Sequence, residues 1–287
     1  MYPASFEYHR ASSVQDAVAM LAEYGDEGKV LAGGHSLLPV MKLRLATPKH
    51  IVDIGRIDGL SGVSESGGVI LIGALTRHAD VAASPVVREK LTALAEAASG
   101  IGDVQVRNRG TIGGSLAHAD PGADLPAVML ALGAQIVATG TSGDRSIAAD
   151  DFFTDAFATA LAPSDLVTHV RIPSPGAGGG SAYVKQPDPA SGYALVGVAA
   201  LVTVAAGSVA SARVALTGLT LKPTRLTGVE QALVGQRADA AASERAAARA
   251  AEELDLYDDP KGTAAYKANL AKVFAQRAVA KAILSMS

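Results

Sequence analysis

Cysteine and tryptophan are both missing from this chain of 287 residues. Without a thiol there is no disulfide framework, no Cys-ligated zinc and no thiolate nucleophile. Iron–sulfur clusters are held chiefly by Cys thiolates, so none is expected on this chain. Aromatic residues make up only 4%, which leaves a core built mainly from Ala, Val, Leu and Ile. Charge is sparse too: charged residues account for 18% and the net charge is −3. Phosphate binding along a nucleic acid needs a basic face, so nucleic acid is not an expected partner. No apolar run reaches the roughly 20 residues that a membrane-spanning helix needs. The most apolar stretch, Leu195 to Val209, is interrupted by Gly197, Gly207 and Ser208. Met1 to Arg10 carries Glu7, His9 and Arg10 where a signal peptide has an apolar run. These absences lead us to expect a cytoplasmic protein.

What is present is hydrophobic patterning, with 49% hydrophobic residues over a length that suits two domains or one large one. Ser12 and Gln15 have capping-box spacing, and Val14, Ala17, Val18, Leu21 and Ala22 recur at helical period up to Gly25. Lys29 to Ala32 reads as a strand running into Gly33-Gly34. Ser36 can cap a helix through about Leu45, and Ile51 to Ile54 reads as a strand. Val69 to Ala74 is a further strand. Ser84-Pro85 opens a helix through Ala98, Ala123 to Leu132 is helical, and Gln135 to Thr139 and Asp165 to Ile172 are strands. A Pro- and Gly-rich stretch, Pro173 to Gly180, marks a boundary. Beyond it, Ala182 to Lys185, Leu195 to Ala205 and Val209 to Thr217 suit an antiparallel meander. Thr224 to Val234, Ser243 to Leu254 and Ala264 to Leu284 look helical, with Tyr266, Leu270, Val273 and Phe274 on one side of the last.

Two glycine loops stand out, Ala32-Gly33-Gly34-His35-Ser36-Leu37 and Gly110-Thr111-Ile112-Gly113-Gly114-Ser115. A glycine pair lets main-chain N–H groups close on a ligand with no Cβ in the way. A helix start after such a loop adds positive partial charge, which suits a pyrophosphate. The plainer reading is a pair of tight turns. No Walker A pattern occurs, and Gly100-Ile101-Gly102 lacks the third glycine of a Rossmann fingerprint. A dinucleotide bound here would therefore sit in a different fold. His118, Asp120 and Asp124 could ligate a metal, or form a polar loop in which Asp120 or Asp124 caps the following helix, or Asp124 could accept a hydrogen bond from a ligand ribose or base. No second nearby His and no HExxH pattern support the metal. A GxSxG elbow is also lacking, which makes hydrolase chemistry weak.

At these loops the sequence resembles a known family. Ala32 to Pro39, followed by Met41-Lys42-Leu43-Arg44-Leu45, is similar to the first FAD loop of the flavin subunits of molybdenum hydroxylases. Arg107-Asn108-Arg109-Gly110-Thr111-Ile112-Gly113-Gly114-Ser115 resembles their second FAD loop, and Ala117 to Pro126 continues it. Pro223, Arg225, Glu230, Leu233 and Gly235 resemble the family's C-terminal pattern. The carbon monoxide dehydrogenase branch is the most similar, although Ser115 stands where some of that branch carry Asn. Leu116-Ala117-His118-Ala119 looks more like the nicotine-type relatives.

The resemblance implies an α+β fold. A p-cresol methylhydroxylase/vanillyl-alcohol oxidase (PCMH/VAO)-type FAD-binding domain would span 1–175, in lobes of about 1–56 and 57–175. A C-terminal flavoprotein domain with a small antiparallel sheet and helices would span 181–287. It implies that Ala32, Gly33, Gly34, His35, Ser36 and Leu37, with Thr111, Ile112, Gly113, Gly114 and Ser115, hold the FAD pyrophosphate and neighbouring groups. Ile101 would pack near the flavin or ribityl chain, and Asp124 would accept hydrogen bonds from FAD. Lys185 and Tyr193 would approach the isoalloxazine, with Tyr193 covering one face. No metal is implied on this chain. The molybdenum cofactor would lie on a large partner subunit and two-iron/two-sulfur clusters on a small one, in a dimer of heterotrimers. The electron acceptor would be a quinone, NAD or oxygen, and the complex would reside in the cytoplasm or at the inner face of the membrane. Other readings are a flavin subunit for N-heterocycles, xanthine or aldehydes, a self-contained FAD oxidoreductase, and a nucleotide-binding module without catalysis.

Overall fold

A computed structural model describes residues 1–286. Strands β1 (Glu7–Arg10), β2 (Gly28–Leu31) and β3 (His50–Asp53) form a small parallel sheet in the order β1-β3-β2. Helix α1 (Val14–Tyr24) buries Ala17, Val18 and Leu21 near this sheet, and Gly25 ends it with a positive φ. Its cap is one residue later than the spacing suggests. Ser13 accepts the Asp16 N–H, while Ser12 donates its N–H and hydroxyl to the Asp16 carboxylate. Helix α2 (Leu37–Lys42) is also shorter than expected, because Arg44 turns into the left-handed region.

A second sheet is antiparallel throughout. It contains β4 (Val63–Ser66), β5 (Val69–Gly73), β6 (Gln135–Gly140) and β7 (Gly143–Ala148). A tiny hairpin, β8 (Phe153–Asp155) and β9 (Ala158–Thr159), precedes the central strand β10 (Leu166–Pro173). The sheet order is β4-β5-β10-β6-β7. The helices of this region are α3 (His78–Ala83), α4 (Pro85–Lys90), α5 (Thr92–Ser99), α6 (Val104–Arg107), α7 (Ile112–His118), α8 (Asp124–Ala131) and α9 (Ala149–Phe152), of which α4 packs on β4, α7 on β10 and α9 on β6 and β7. The single helix expected from Ser84 to Ala98 is two. Ser84 caps α4 through Val87 N–H, but Leu91 leaves helical geometry and buries its side chain, and α5 restarts after it. Helix α8 is buried on every side, which matches its uniformly apolar sequence after Asp124.

The remaining strands form a four-stranded antiparallel sheet in the order β11-β12-β13-β14: β11 (Gly179–Pro187), β12 (Ala194–Ala205), β13 (Ser208–Thr217) and β14 (Thr224–Arg225). The expected meander is present, with longer strands. Helices α10 (Thr227–Leu233), α11 (Ala240–Ala247) and α12 (Ala264–Leu284) follow. This sheet is covered on both faces, which explains the near-continuous apolar run of β12. Val196, Val198, Ala200 and Val202 pack toward α10 and α12, while Ala199 joins the core shared with α5 and α8. Tyr266 does not share the buried stripe of α12. Lys267, Leu270, Ala271, Phe274, Ala275 and Ala278 do, while Tyr266 is 45% exposed. The core is mostly Ala, Val, Leu and Ile, as an aromatic-poor composition requires. Among the described residues no helix is long and apolar enough to cross a membrane.

Candidate functional site

Loops from all three sheets meet around one cavity of about 540 Å3. The stretch from Ala32 to Leu37, leading from β2 into α2, forms one wall. Gly110 and Thr111, with Gly114 and Ser115 on α7, form another. Ile101 and Gly102 lie before α6, Asp124 opens α8, and Ser191 to Tyr193 are the tip of the β11–β12 hairpin.

The first loop holds a row of free donors. Among the described residues, the peptide N–H groups of Gly33, Gly34, His35, Ser36 and Leu37 make no hydrogen bond to the chain. Gly34 has φ +75°. Successive amides around such a residue form a concavity suited to an anion. The loop needs its first glycine for a different reason. A Cβ on Gly33 would lie 2.3 Å from the Arg109 carbonyl oxygen, so the two glycine loops touch backbone to backbone.

The second loop spends its donors inside the protein. Ile112 N–H donates to Thr76 and Gly113 N–H to Ala74, at 3.0 and 2.9 Å. Gly114 N–H donates to the Thr111 hydroxyl, which caps α7, and Ser115 N–H donates to the Thr111 carbonyl. Ile112 is wholly buried and Gly113 packs on Ala74, so neither lines the cavity. This loop therefore supplies shape and rigidity where the first supplies donors.

His78, at the start of α3, lines the cavity behind both loops, with its ring against Gly110. It is 4% exposed, and its Nδ1 is buried with no partner among the described residues. Burial, assisted by nearby His35, lowers its pKa to about 4, so the ring is neutral near pH 7. The sequence offers no sign of this residue, since a lone His at a helix start fits no motif.

Asp124 is the buried carboxylate of the site. It accepts hydrogen bonds from Tyr183 Oη at 2.6 Å and Lys185 Nζ at 3.0 Å. Burial raises its pKa, and Lys185 and Tyr183 oppose that shift. Tyr183 is raised well above the usual phenol value by burial and by Asp124. Lys185 does not line the cavity. It stands behind Asp124 and also donates to the Gly100 carbonyl, next to Ile101. Sequence reasoning missed Tyr183, although alternation along β11 puts it on the same face as Lys185. Tyr193, 41% exposed, stands at the cavity mouth on a hairpin tip braced by Asp188, which accepts from Ala190 and Ser191. Its pKa is raised by burial and by Asp120 and Asp124.

His118 and Asp120 also line the cavity, 3.9 Å apart. Asp120 accepts the Gly122 N–H, the polar-loop role, and Asp124 is taken by Tyr183 and Lys185. Among the described residues, His118, Asp120 and Asp124 do not converge as a metal-ligand set.

Comparison with known proteins places this geometry. Residues 4–175 match the FAD binding domain in molybdopterin dehydrogenase, and residues 181–282 match the CO dehydrogenase flavoprotein C-terminal domain. The chain is 41% identical to the carbon monoxide dehydrogenase medium chain of Hydrogenophaga pseudoflava, over 97% of each. It is 37% identical to the 6-hydroxypseudooxynicotine dehydrogenase complex subunit alpha of Paenarthrobacter nicotinovorans, over 99% of this chain and 96% of the other. A solved structure of carbon monoxide dehydrogenase from Hydrogenophaga pseudoflava superposes with a TM-score of 0.96 at 41% identity, covering all of both chains. The chain therefore belongs to the FAD-binding medium subunits of the molybdenum hydroxylases. FAD is the group that this family's N-terminal domain binds. The cavity fits it: the volume lies in the range of cofactor sites, the lining is largely apolar, and one wall carries unpaired amides.

Proposed function

We propose that this chain is the FAD-carrying electron-transfer subunit of a carbon monoxide dehydrogenase-like molybdenum hydroxylase. The observation that carries this reading is the row of five unpaired amides from Gly33 to Leu37 on the wall of a largely apolar cavity. Those amides would donate to the pyrophosphate oxygens. Ala32 continues the wall, and Arg109 and Gly110 press against Gly33 and hold the loop in shape. Thr111, Gly114 and Ser115 continue the lining beside it, while Ile112 and Gly113 anchor the turn from behind. Ile101 offers an apolar surface to the ribityl or flavin region. Asp124 retains acceptor capacity toward the cavity, and Lys185 and Tyr183 hold its carboxylate in one orientation. Tyr193 would cover one face of the ring system at the mouth and limit access of water.

When bound, FAD supplies the redox chemistry that these side chains lack, accepting and releasing electrons singly or in pairs. The protein supplies position and a field. His78 stays neutral, so it adds no fixed positive charge behind the cofactor.

In this reading residues 1–175 form the FAD-binding domain and 181–287 the C-terminal flavoprotein domain. Electrons arrive from two-iron/two-sulfur clusters on a small partner, after oxidation of substrate at the molybdenum site of a large one. The complex is a dimer of heterotrimers in the cytoplasm or at the inner membrane face. A quinone, NAD or oxygen accepts the electrons. The absence of Cys supports placing the clusters on another chain.

Co-expression with the genes of the candidate large and small partners tests the assignment. The expected result is a three-subunit complex whose flavin absorbance bleaches when carbon monoxide is added, while the isolated chain does not bleach. Substrate-driven bleaching by the isolated chain would make it a self-contained oxidoreductase and contradict the proposal.

A further inference from the structure

A second constellation lies on the N-terminal sheet, and none of its three residues lines the cavity. Glu7 and His9 alternate along β1, so both side chains leave the same face of the strand. The parallel register sets Glu7 opposite His50 on β3. Tyr24, at the end of α1, stacks on the His50 ring with centroids 4.1 Å apart and planes 14° apart. Two strands thus bring one carboxylate and two imidazoles together, with Tyr24 of α1 bracing one of the rings. His9 Nε2 and His50 Nδ1 are 3.1 Å apart, and Glu7 Oε2 lies 3.8 and 3.5 Å from them.

These three distances describe a metal-sized triangle. The circle through the three atoms has a radius of about 2.0 Å, and zinc bonds to His nitrogen and carboxylate oxygen run about 2.0–2.2 Å. An ion just out of their plane would meet all three at bonding distance and keep a position for water. Both histidine side chains are about four-fifths buried, whereas Glu7 is mostly exposed, so an ion can enter from the Glu7 side. We propose that Glu7, His9 and His50 form a surface site for a borderline divalent transition metal, zinc in the first place, that clamps β1 onto β3. This site is independent of the flavin reading. Imidazole donors favour zinc, copper or nickel over magnesium or calcium, which prefer oxygen shells. Without metal the two ring nitrogens share one hydrogen, because an N···N contact of 3.1 Å is a hydrogen bond. Metal binding requires that hydrogen to move to the outer nitrogen of the donor ring, a change of tautomer with no change of charge.

The test is calorimetric titration of the FAD-loaded full chain, free of any histidine tag, with zinc and separately with magnesium. Cobalt is added in parallel to read the visible bands of a low-coordinate site. The expected result is one zinc site, no magnesium binding, and zinc affinity weakened by at least roughly tenfold in both His9→Gln and His50→Gln. Flavin content should be unchanged in both, and His169→Gln, on the second sheet, should bind zinc as the parent does. Should either substitution disturb folding by circular dichroism, Glu7→Gln, at an exposed position, replaces it as the reporter. Zinc binding of equal strength in the parent and all three site variants, or none in the parent, would overturn the proposal.

Discussion

At the residue scale the site is made by glycines and by one hidden histidine. Gly33 is required by contact, because the Arg109 carbonyl occupies the space of its Cβ, and Gly34 by its positive φ. His78 carries a consequence for pH. Its folded pKa of about 4 lies below the ordinary 6.5, so the unfolded chain binds more protons between those values. Stability contributed by keeping His78 neutral is therefore full above pH 6.5 and is lost as pH falls toward 4. Urea denaturation should show a loss of about 2 kcal/mol from this group on going from pH 7 to pH 5. His78→Gln should lose that part of the slope. An unchanged slope in the variant would show that His78 does not titrate as a buried base.

At the element scale, β11 and β12 couple the third sheet to the cavity. Tyr183 and Lys185 project from β11 to Asp124, and Gly197 on β12 leaves room for the Tyr183 ring. A Cβ on Gly197 would lie 2.1 Å from Tyr183 Oη. Gly197→Ala should therefore cost about 2 kcal/mol through overpacking and loosen the bond to Asp124. A melting temperature equal to that of the parent would contradict this account. The same elements show what the sequence made legible. The apolar run and length of β12, the capped start of α4 and the meander were readable because local patterning set them. The break at Leu91 was not, because it depends on burying that side chain in a core drawn from distant strands. Helix α7 and strand β7 also escaped, one beneath a glycine-rich loop and the other in an exposed polar hairpin arm. The first glycine loop was visible as residues, but the division of labour between the two loops was not. Which amides are free depends on Thr76 and Ala74, which no local motif joins to Ile112 and Gly113.

At the scale of the whole molecule, the cavity exists only because the three sheets converge. Gly218 N–H and the Thr217 hydroxyl donate to the Pro121 carbonyl, and Ala194 N–H donates to Gly122, so the third sheet is stitched to the loop before α8. Arg213 and Arg225 both reach Asp150 on α9, and Arg225 also pairs with Glu230. Arg225 and Glu230, which resemble the family's C-terminal pattern, thus serve the joint between sheets rather than the cavity. Such a joint holds the hairpin bearing Tyr193 at the cavity that the first-loop donors also line. The missing cysteines fit a chain that holds a flavin and leaves the metal clusters to others.

The central claim is that the amides of the first glycine loop hold FAD. Its most direct test is titration of the flavin-free chain with FAD, comparing the parent with Gly34→Val after circular dichroism has shown both to be folded. The parent should bind a single FAD, and the variant should bind at least roughly tenfold more weakly, a loss of about 1.4 kcal/mol or more. Parent-like FAD affinity in folded Gly34→Val would contradict the account.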